Sequence, residues 1–528
     1  MRQLALLLAA AQVLVGAGIE IVPTDSRFYD DLDLLKTAGL VRSMPSTSRP
    51  WTRTEVVRLV VEAESMAGQH TLPVTQRAAL ARLIAEFADE LPNCPARTGA
   101  RRPVASLAVP DVPGASVRLD LYGRARADTV RRAGIGAVIN NRPGDNFAFY
   151  ERFELNFWQP KIVEAAIPRD SAGRHIPGMR VLPWRDIATL ETELAYLAFK
   201  IPWLRLELGR DEFVWGPGFS GSMMLDDNAP ALDHVQLCAN YRNFKFLGLT
   251  SLLSRWGTKP RFLSAQRVEV SLWNRITLAG AMMDIISWDA LQPGQLGGLV
   301  NPLIPNFLSE AGSGHDGNFL VGWDVCAYLP QTKVYAQLFV DNWELNELAV
   351  APNAVAAQTG AYWVPKLPFE LRAEYNVITA FTYYHRVPSI MYENYLVPLG
   401  HELGPDADQA LAGGRVTPCS WLRLGLRVER TRRGYFNRGG WQRQSFHLGD
   451  TAYLREYFRF PAIGYDSLGN IIEQVDHTTR LASEVEFCLG RDLRLSGAVG
   501  FWSSRNYLGV PGREQSGFDL DFRVEYRY

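Results

Sequence analysis

Residues 209–230 of the 528-residue chain, GRDEFVWGPGFSGSMMLDDNAP, bring ionisable, ligating and turn-forming side chains together. Asp211 and Glu212 could serve as the two carboxyls of a glycosidase, but adjacency in sequence does not set their separation in space. Asp226, Asp227 and Asn228 offer oxygen ligands for calcium, yet lack the alternating ligand spacing of a calcium loop and read as a solvated turn. No GxSxG, HExxH or Walker pattern occurs elsewhere, and the eight histidines are dispersed. The five cysteines, Cys94, Cys238, Cys326, Cys419 and Cys488, show no zinc spacing, and an odd number cannot pair completely. No catalytic group, metal or cofactor is expected, and the protein reads as nonenzymatic.

The elements that must carry this stretch are strands. GFDLDFRVEYRY, residues 517–528, places Phe518, Leu520, Phe522, Val524, Tyr526 and Tyr528 on one parity and charged residues on the other. The same alternation recurs: Leu204, Leu206 and Leu208 oppose Arg205 and Glu207, and Val268, Val270 and Leu272 oppose Arg267 and Glu269. Phe369, Leu371, Ala373 and Tyr375 oppose Glu370, Arg372 and Glu374. One such strand is commonplace in a soluble sheet. Strand after strand with Arg and Glu on the non-apolar face predicts an all-β transmembrane β-barrel, apolar towards lipid and polar inside. Trp158, Trp203, Trp273 and Trp343 are expected in its interfacial girdles.

Strands are placed near 116, 131, 147, 188, 203, 235, 244, 265, 276, 319, 332, 368, 380, 421, 441, 480, 494 and 517, about 18 antiparallel strands. Tight turns at Ile201-Pro202, Asn274-Arg275 and Leu329 to Lys333 then share one end. Long connections at 159–187, 212–234, 287–318, 343–367, 386–420 and 461–479 share the other. Arg210 is expected to point into the lumen, just before the compact turn of Trp215-Gly216-Pro217-Gly218.

Ahead of the strands, MRQLALLLAAAQVLVGAG reads as a signal peptide over residues 1–17, with an apolar run too short to span a bilayer as a helix. Residues 18–114 are expected to form a periplasmic helical head, a small bundle or plug, with its linker; residues 115–528 form the outer-membrane barrel. Asp25 is expected to cap the first helix, Thr52 or Thr54 to open the second, and the third to run from Thr75 to Leu91. With 55 basic and 56 acidic residues, bulk charge gives no reason to expect nucleic acid as a partner.

Two local patterns carry a resemblance. Arg210, then Trp215, Gly216, Pro217 and Gly218, then an apolar pair and Asn228-Ala229-Pro230, resemble the signature of the Wzi family of capsule-assembly outer-membrane proteins. DLDLLKTAGLV with SRPWTRTEVVRLV resembles that family's amino-terminal helical region. The resemblance implies a barrel closed on the periplasmic side by helices and a role in holding capsular polysaccharide at the cell surface. The last strand, with Phe518, Phe522, Tyr526 and a terminal Tyr528, also resembles the signal read by the bacterial barrel-assembly machinery.

The partners expected are thus extracellular polysaccharide, outer-membrane lipid and, during biogenesis, that machinery, with the barrel acting as a monomer. Aromatic rings pack on the C–H faces of sugars while amides and carboxylates bond the hydroxyls, so Trp215, Trp288, Trp343, Tyr362, Trp363, Tyr392 and Tyr395 are the candidate sugar contacts in the outer loops. A general or sugar-specific porin is the alternative function.

Overall fold

A computed structural model describes residues 19–69, 71–88, 90–91, 105–108, 116–127, 131–144, 146–158, 182–184, 188–287, 317–342, 354–385, 387–435, 437, 461, 464–465, 471–489 and 493–527. The expected signal peptide, Trp288, Trp343 and Tyr528 lie outside the described residues, as does most of the linker that leaves the head.

Three helices form the head: α1 (Phe28–Thr37), α2 (Arg53–Ala67) and α3 (Val74–Glu86). Thr52 opens α2 with a capping box, its side chain accepting from the Glu55 N–H while Glu55 reaches back to the Thr52 N–H. Asp25 does not cap α1; it bonds Arg152 of the barrel wall at 3.2 Å, so a long-range charge has replaced the local cap. The helices close over Phe28, Leu35, Val56, Val60, Leu83 and Phe87, all buried. Among the described residues no helix is long and apolar enough to cross a membrane.

Among the described residues, eighteen strands of eight residues or more close into one antiparallel ring. They are β1 (Ser116–Ala127), β2 (Arg131–Gly144), β3 (Phe147–Trp158), β4 (Ala188–Ile201), β5 (Leu204–Asp211) and β6 (Leu232–Tyr241). Next come β7 (Phe244–Trp256), β8 (Lys259–Leu272), β9 (Ile276–Ser287), β10 (Gly317–Leu329), β11 (Thr332–Asn342) and β12 (Ala354–Trp363). The ring is completed by β13 (Phe369–Ile378), β14 (Ala407–Cys419), β15 (Leu422–Arg433), β16 (Asp476–Leu489), β17 (Leu493–Arg505) and β18 (Glu514–Arg527). Closure is made by β18 on β1, with Phe522 opposite Ala127 and Arg527 opposite Tyr122. A closed ring leaves no unpaired edge, the condition for a sheet in hydrocarbon.

The count agrees with the sequence reading, but two members differ. Strands β12 and β14 occupy stretches read as long connections, while the segment near 380 is a loop and the one near 441 lies outside the described residues. The cause is composition: AVAAQTGAYW puts Ala on both faces, and ADQALAGGRVTPC turns Ala410, Ala412 and Gly414 outwards, so neither shows much hydrophobic contrast.

Exposure follows parity. Leu206, Leu208, Leu424, Leu426, Val428, Phe518, Leu520 and Phe522 stand on the outer wall, while Glu207, Arg267, Glu269, Asp324 and Glu374 are buried inside. This inverts a soluble protein and matches a barrel in lipid. Trp203, Tyr241, Trp273, Trp363 and Trp421 are all exposed at the short-turn end, an aromatic belt of the kind found at a membrane interface.

The head is seated inside the short-turn end by ion pairs to the wall. Asp30 takes Arg372 at 3.3 Å and Arg415 at 3.0 Å; Asp31 takes Arg423 at 3.2 Å as well as Arg82 of α3 at 2.6 Å. Asp33 accepts from Lys333 at 2.9 Å and Tyr328 at 2.8 Å. Burial alone would raise the Asp31 carboxyl, but Arg82 and Arg423 hold it below the usual carboxylate range.

Candidate functional site

The segment after β5 does not stand out as a loop. It folds back down the lumen. Val214 and Trp215 pair as a strand with Arg49 and Ser48 of the head, and the Gly216 N–H donates to the Thr47 carbonyl at 3.0 Å. The head segment is held in turn by the wall: Ser46 donates to Glu269 at 2.6 Å, and Arg267 donates to the Thr47 hydroxyl at 2.6 Å.

The Trp215-Gly216-Pro217-Gly218 turn is shaped by how closely the wall approaches. A Cβ on Gly216 would meet Gln337 Nε2 at 2.6 Å, and one on Gly218 would meet the Gly221 carbonyl at 2.1 Å and Gln358 at 2.2 Å. Only glycine fits at either position. Gln337 of β11 donates to the Trp215 carbonyl at 2.9 Å and accepts from the Met223 N–H at 2.8 Å. Glu374 of β13 accepts from the Phe219 N–H at 2.8 Å, the Ser220 N–H at 3.2 Å, and the Ser220 and Tyr335 hydroxyls.

A second inward loop, residues 379–406, covers the first. Tyr383 and Tyr392 donate to the Met223 and Met224 carbonyls at 2.8 and 2.7 Å, and the Asp226 N–H donates to the Leu399 carbonyl at 2.8 Å. Phe213, Trp215, Met223, Met224, Phe339, Tyr383 and Tyr392 belong to one buried apolar core inside the barrel. The lumen is therefore dry over this stretch, which the sequence reading, with its wholly polar interior, did not anticipate.

One pair invites a catalytic reading and does not sustain it. Ser220 Oγ lies 3.0 Å from His401 Nε2. The Leu403 N–H donates to His401 Nδ1 at 3.1 Å, so Nδ1 is the acceptor and Nε2 carries the proton. That nitrogen cannot take the Ser220 proton, which is already donated to Glu374. Burial pulls His401 down to about 4, keeping it neutral.

Among the described residues no group of three His, Cys, Asp or Glu side chains is placed to hold an ion. Burial pushes the Asp226 and Asp227 carboxyls up, with Asp227 adding to the rise at Asp226 and Asp25 to that at Asp227. Glu212 is pushed up to about 7, chiefly by burial, and accepts from Thr24 of the head at 2.9 Å.

The candidate sugar contacts separate into three groups. Trp215, Tyr392 and Tyr362 are buried and join parts of the protein: Tyr362 lies in the head's core and donates to Glu370 at 2.6 Å. Tyr362 and Trp363 belong to β12 at the short-turn end, and Trp363 is a belt residue against Phe369, which corrects their placement in outer loops. Tyr395 is half-buried at the long-loop end, where its N–H donates to the Ser254 hydroxyl at 2.9 Å. Arg210 is also corrected. It shares the outward parity of Leu206 and Leu208 and pairs with Asp233 at 2.7 Å on the outer wall. Asn228, Ala229 and Pro230 close the inward loop, and Ala229 lies in the lumen core.

An aromatic pair the sequence reading passed over sits at the long-loop end. Trp502 of β17 stacks on Tyr507 with ring centres 5.5 Å apart and planes 21° apart, and the Arg513 guanidinium lies 5.3 Å from the Tyr507 ring. The signal was the Trp at the upper end of a strand followed within five residues by Tyr in a turn.

Residues 140–273, which include the inward loop after β5, match the family model for the capsule assembly protein Wzi. Among solved structures, the chain resembles the Escherichia coli Wzi described as an outer membrane protein involved in group 1 capsule assembly and a carbohydrate-binding beta-barrel. The superposition has a TM-score of 0.61 at 15% identity and covers 96% of this chain and 99% of that one. Pseudomonas aeruginosa OprD matches more loosely, with a TM-score of 0.42 at 8% identity over 78% of this chain and 94% of that chain. No curated protein matches the chain. The likeness read from the loop is thus shown in sequence over residues 140–273, and the fold is shared over nearly the full length.

Proposed function

We propose that this protein is a nonenzymatic outer-membrane barrel that binds extracellular polysaccharide through its long-loop end and helps attach or assemble it at the cell surface. The single observation that carries this reading is the filled lumen. The head closes the short-turn end, the two inward loops build a dry core above it, and the chain shares both loop signature and fold with a carbohydrate-binding capsule-assembly barrel. Energy spent on plugging a barrel twice suits a rigid display surface better than a pore.

In this reading the long-loop end faces outwards, the short-turn end and the helical head face the periplasm, and residues 18–114 and 115–528 act as head with linker and barrel. The outward apolar wall takes outer-membrane lipid, the last strand is read by the barrel-assembly machinery, and the barrel works as a monomer. Tyr395 and the Trp502–Tyr507 pair offer flat apolar faces to sugar rings, with Arg513 beside them to bond hydroxyls.

The test is the ratio of cell-attached to released polysaccharide in a strain lacking the gene. Unchanged total polysaccharide with a rise in the released fraction is expected. An unmoved ratio, together with steady ionic current through the purified protein in a planar bilayer, would sink attachment in favour of the porin.

A further inference from the structure

The head does not fill its end of the lumen completely. Between residues 48–58 and the wall strands β4 to β7 lies a half-open cavity of about 180 Å³. Its lining includes Arg49, Arg58, Lys200, Arg205 and Lys245 against one carboxylate, Glu55. Two of the cations are already matched: Arg205 pairs with Glu207, and Lys245 donates to Ser46 at 3.1 Å with Glu55 at 3.9 Å. Glu55 is also the partner of the Thr52 N–H and hydroxyl, at 2.7 and 2.9 Å.

Arg49, Arg58 and Lys200 are different. None of the three forms an ion pair among the described residues; Arg49 lies 4.5 Å from the Tyr29 ring centre, with Asp227 in coulombic reach, and Glu55 acts on Arg58 and Lys200 only at a distance. Elsewhere at this end Asp30, Asp31 and Asp33 of the head are each matched by a cation of the wall. Three unmatched cations converging on one cavity repel each other unless an anion joins them. The amino-terminal end of α2 adds its positive pole.

We infer that this cavity is a binding site for a small oxyanion, a carboxylate or a phosphate, held by Arg49, Arg58 and Lys200. The volume admits one such group or a single acidic sugar ring. At the rim, Trp203 is exposed beside Pro202 and supplies an apolar face for the carbon skeleton of a sugar that carries the charge. The site lies at the opposite end from the proposed polysaccharide surface and stands without it.

The experiment is calorimetric titration of the full chain in detergent with sodium glucuronate, with inorganic phosphate and with neutral glucose, all at one ionic strength. Either anion should bind at least tenfold more tightly than glucose. Tighter glucuronate identifies an acidic sugar as the source, and tighter phosphate identifies a phosphorylated one. The Lys200→Gln and Arg58→Gln variants should each weaken the anion by about tenfold, the worth of one charge-assisted contact. Arg58 lies on an exposed helix surface, so R58Q keeps the test alive if K200Q fails to fold by circular dichroism. Anion affinity no better than that of glucose, or affinity unmoved in R58Q, overturns the inference.

Discussion

Trp215 stands in antiparallel register with Ser48, so a loop that leaves the long-loop end is hydrogen-bonded to a segment that enters from the short-turn end. The two closures of the barrel are one structure. Loosening either should be felt at the other.

Trp215 is fully buried, and its indole N–H has no hydrogen-bond partner among the described residues. Its contribution is therefore volume and contact. Trp215→Ala should destabilise the protein by about 3–5 kcal/mol, while Trp215→Phe should cost roughly 1–2 kcal/mol. Chemical denaturation in detergent, followed by tryptophan fluorescence, separates the two; equal losses would mean that the indole nitrogen has a partner after all.

The head's docking is most sensitive at Asp31, whose side chain is 1% exposed between Arg82 and Arg423. Asp31→Asn leaves two partly buried guanidinium groups short of charge and should weaken docking by about 2–3 kcal/mol. Protease should then cut between α1 and α3 at a dilution that leaves the parent intact. Unchanged cleavage would show that the pair is not what seats the head.

Glu212 gives the contact between head and loop a pH dependence. The folded protein keeps its proton up to about pH 7, against 4.5 for an ordinary glutamate, so its contribution is full below 4.5 and is lost as pH rises through 7. His401, pulled down to about 4, acts with the opposite sign below its usual 6.5, so the window from 6.5 to 8 isolates the carboxylates. Across that window the parent should lose a little under about 1 kcal/mol relative to Glu212→Gln, the larger part of the loss having already fallen between 4.5 and 6.5. Parallel melting curves for the two proteins across it would rule Glu212 out as the cause.

At the long-loop end, Trp502→Ala and Tyr507→Ala should each lower affinity for the cognate polysaccharide by roughly fivefold to tenfold, with little change in stability because both rings are half-buried. Trp363→Ala, in the belt at the other end, should leave affinity unchanged. Co-sedimentation with purified polysaccharide measures all three, and a loss confined to Trp363→Ala would place the sugar at the wrong end.

The membrane barrel was legible in the sequence because strand parity is a local property. Leu424, Leu426 and Val428 alternate with Arg423, Arg427 and Glu429 whatever the rest of the chain does, and sixteen of the eighteen strands follow from repetition. Strands β12 and β14 escaped for the same reason, since Ala and Gly give parity nothing to show. The Trp-Gly-Pro-Gly turn was visible as a turn, but whether Trp215 faces solvent or a core depends on Gln337, Glu374, Tyr383 and Tyr392, residues 122 to 177 positions away that only closure of the ring brings near. Composition marked the aromatics alike; tertiary structure sorted them into belt, lock and rim. The sequence by itself determined that charge would face inwards. Only the fold decided which charges would meet partners there and which, at Arg49, Arg58 and Lys200, would be left facing a cavity, because pairing depends on distances that no local pattern encodes.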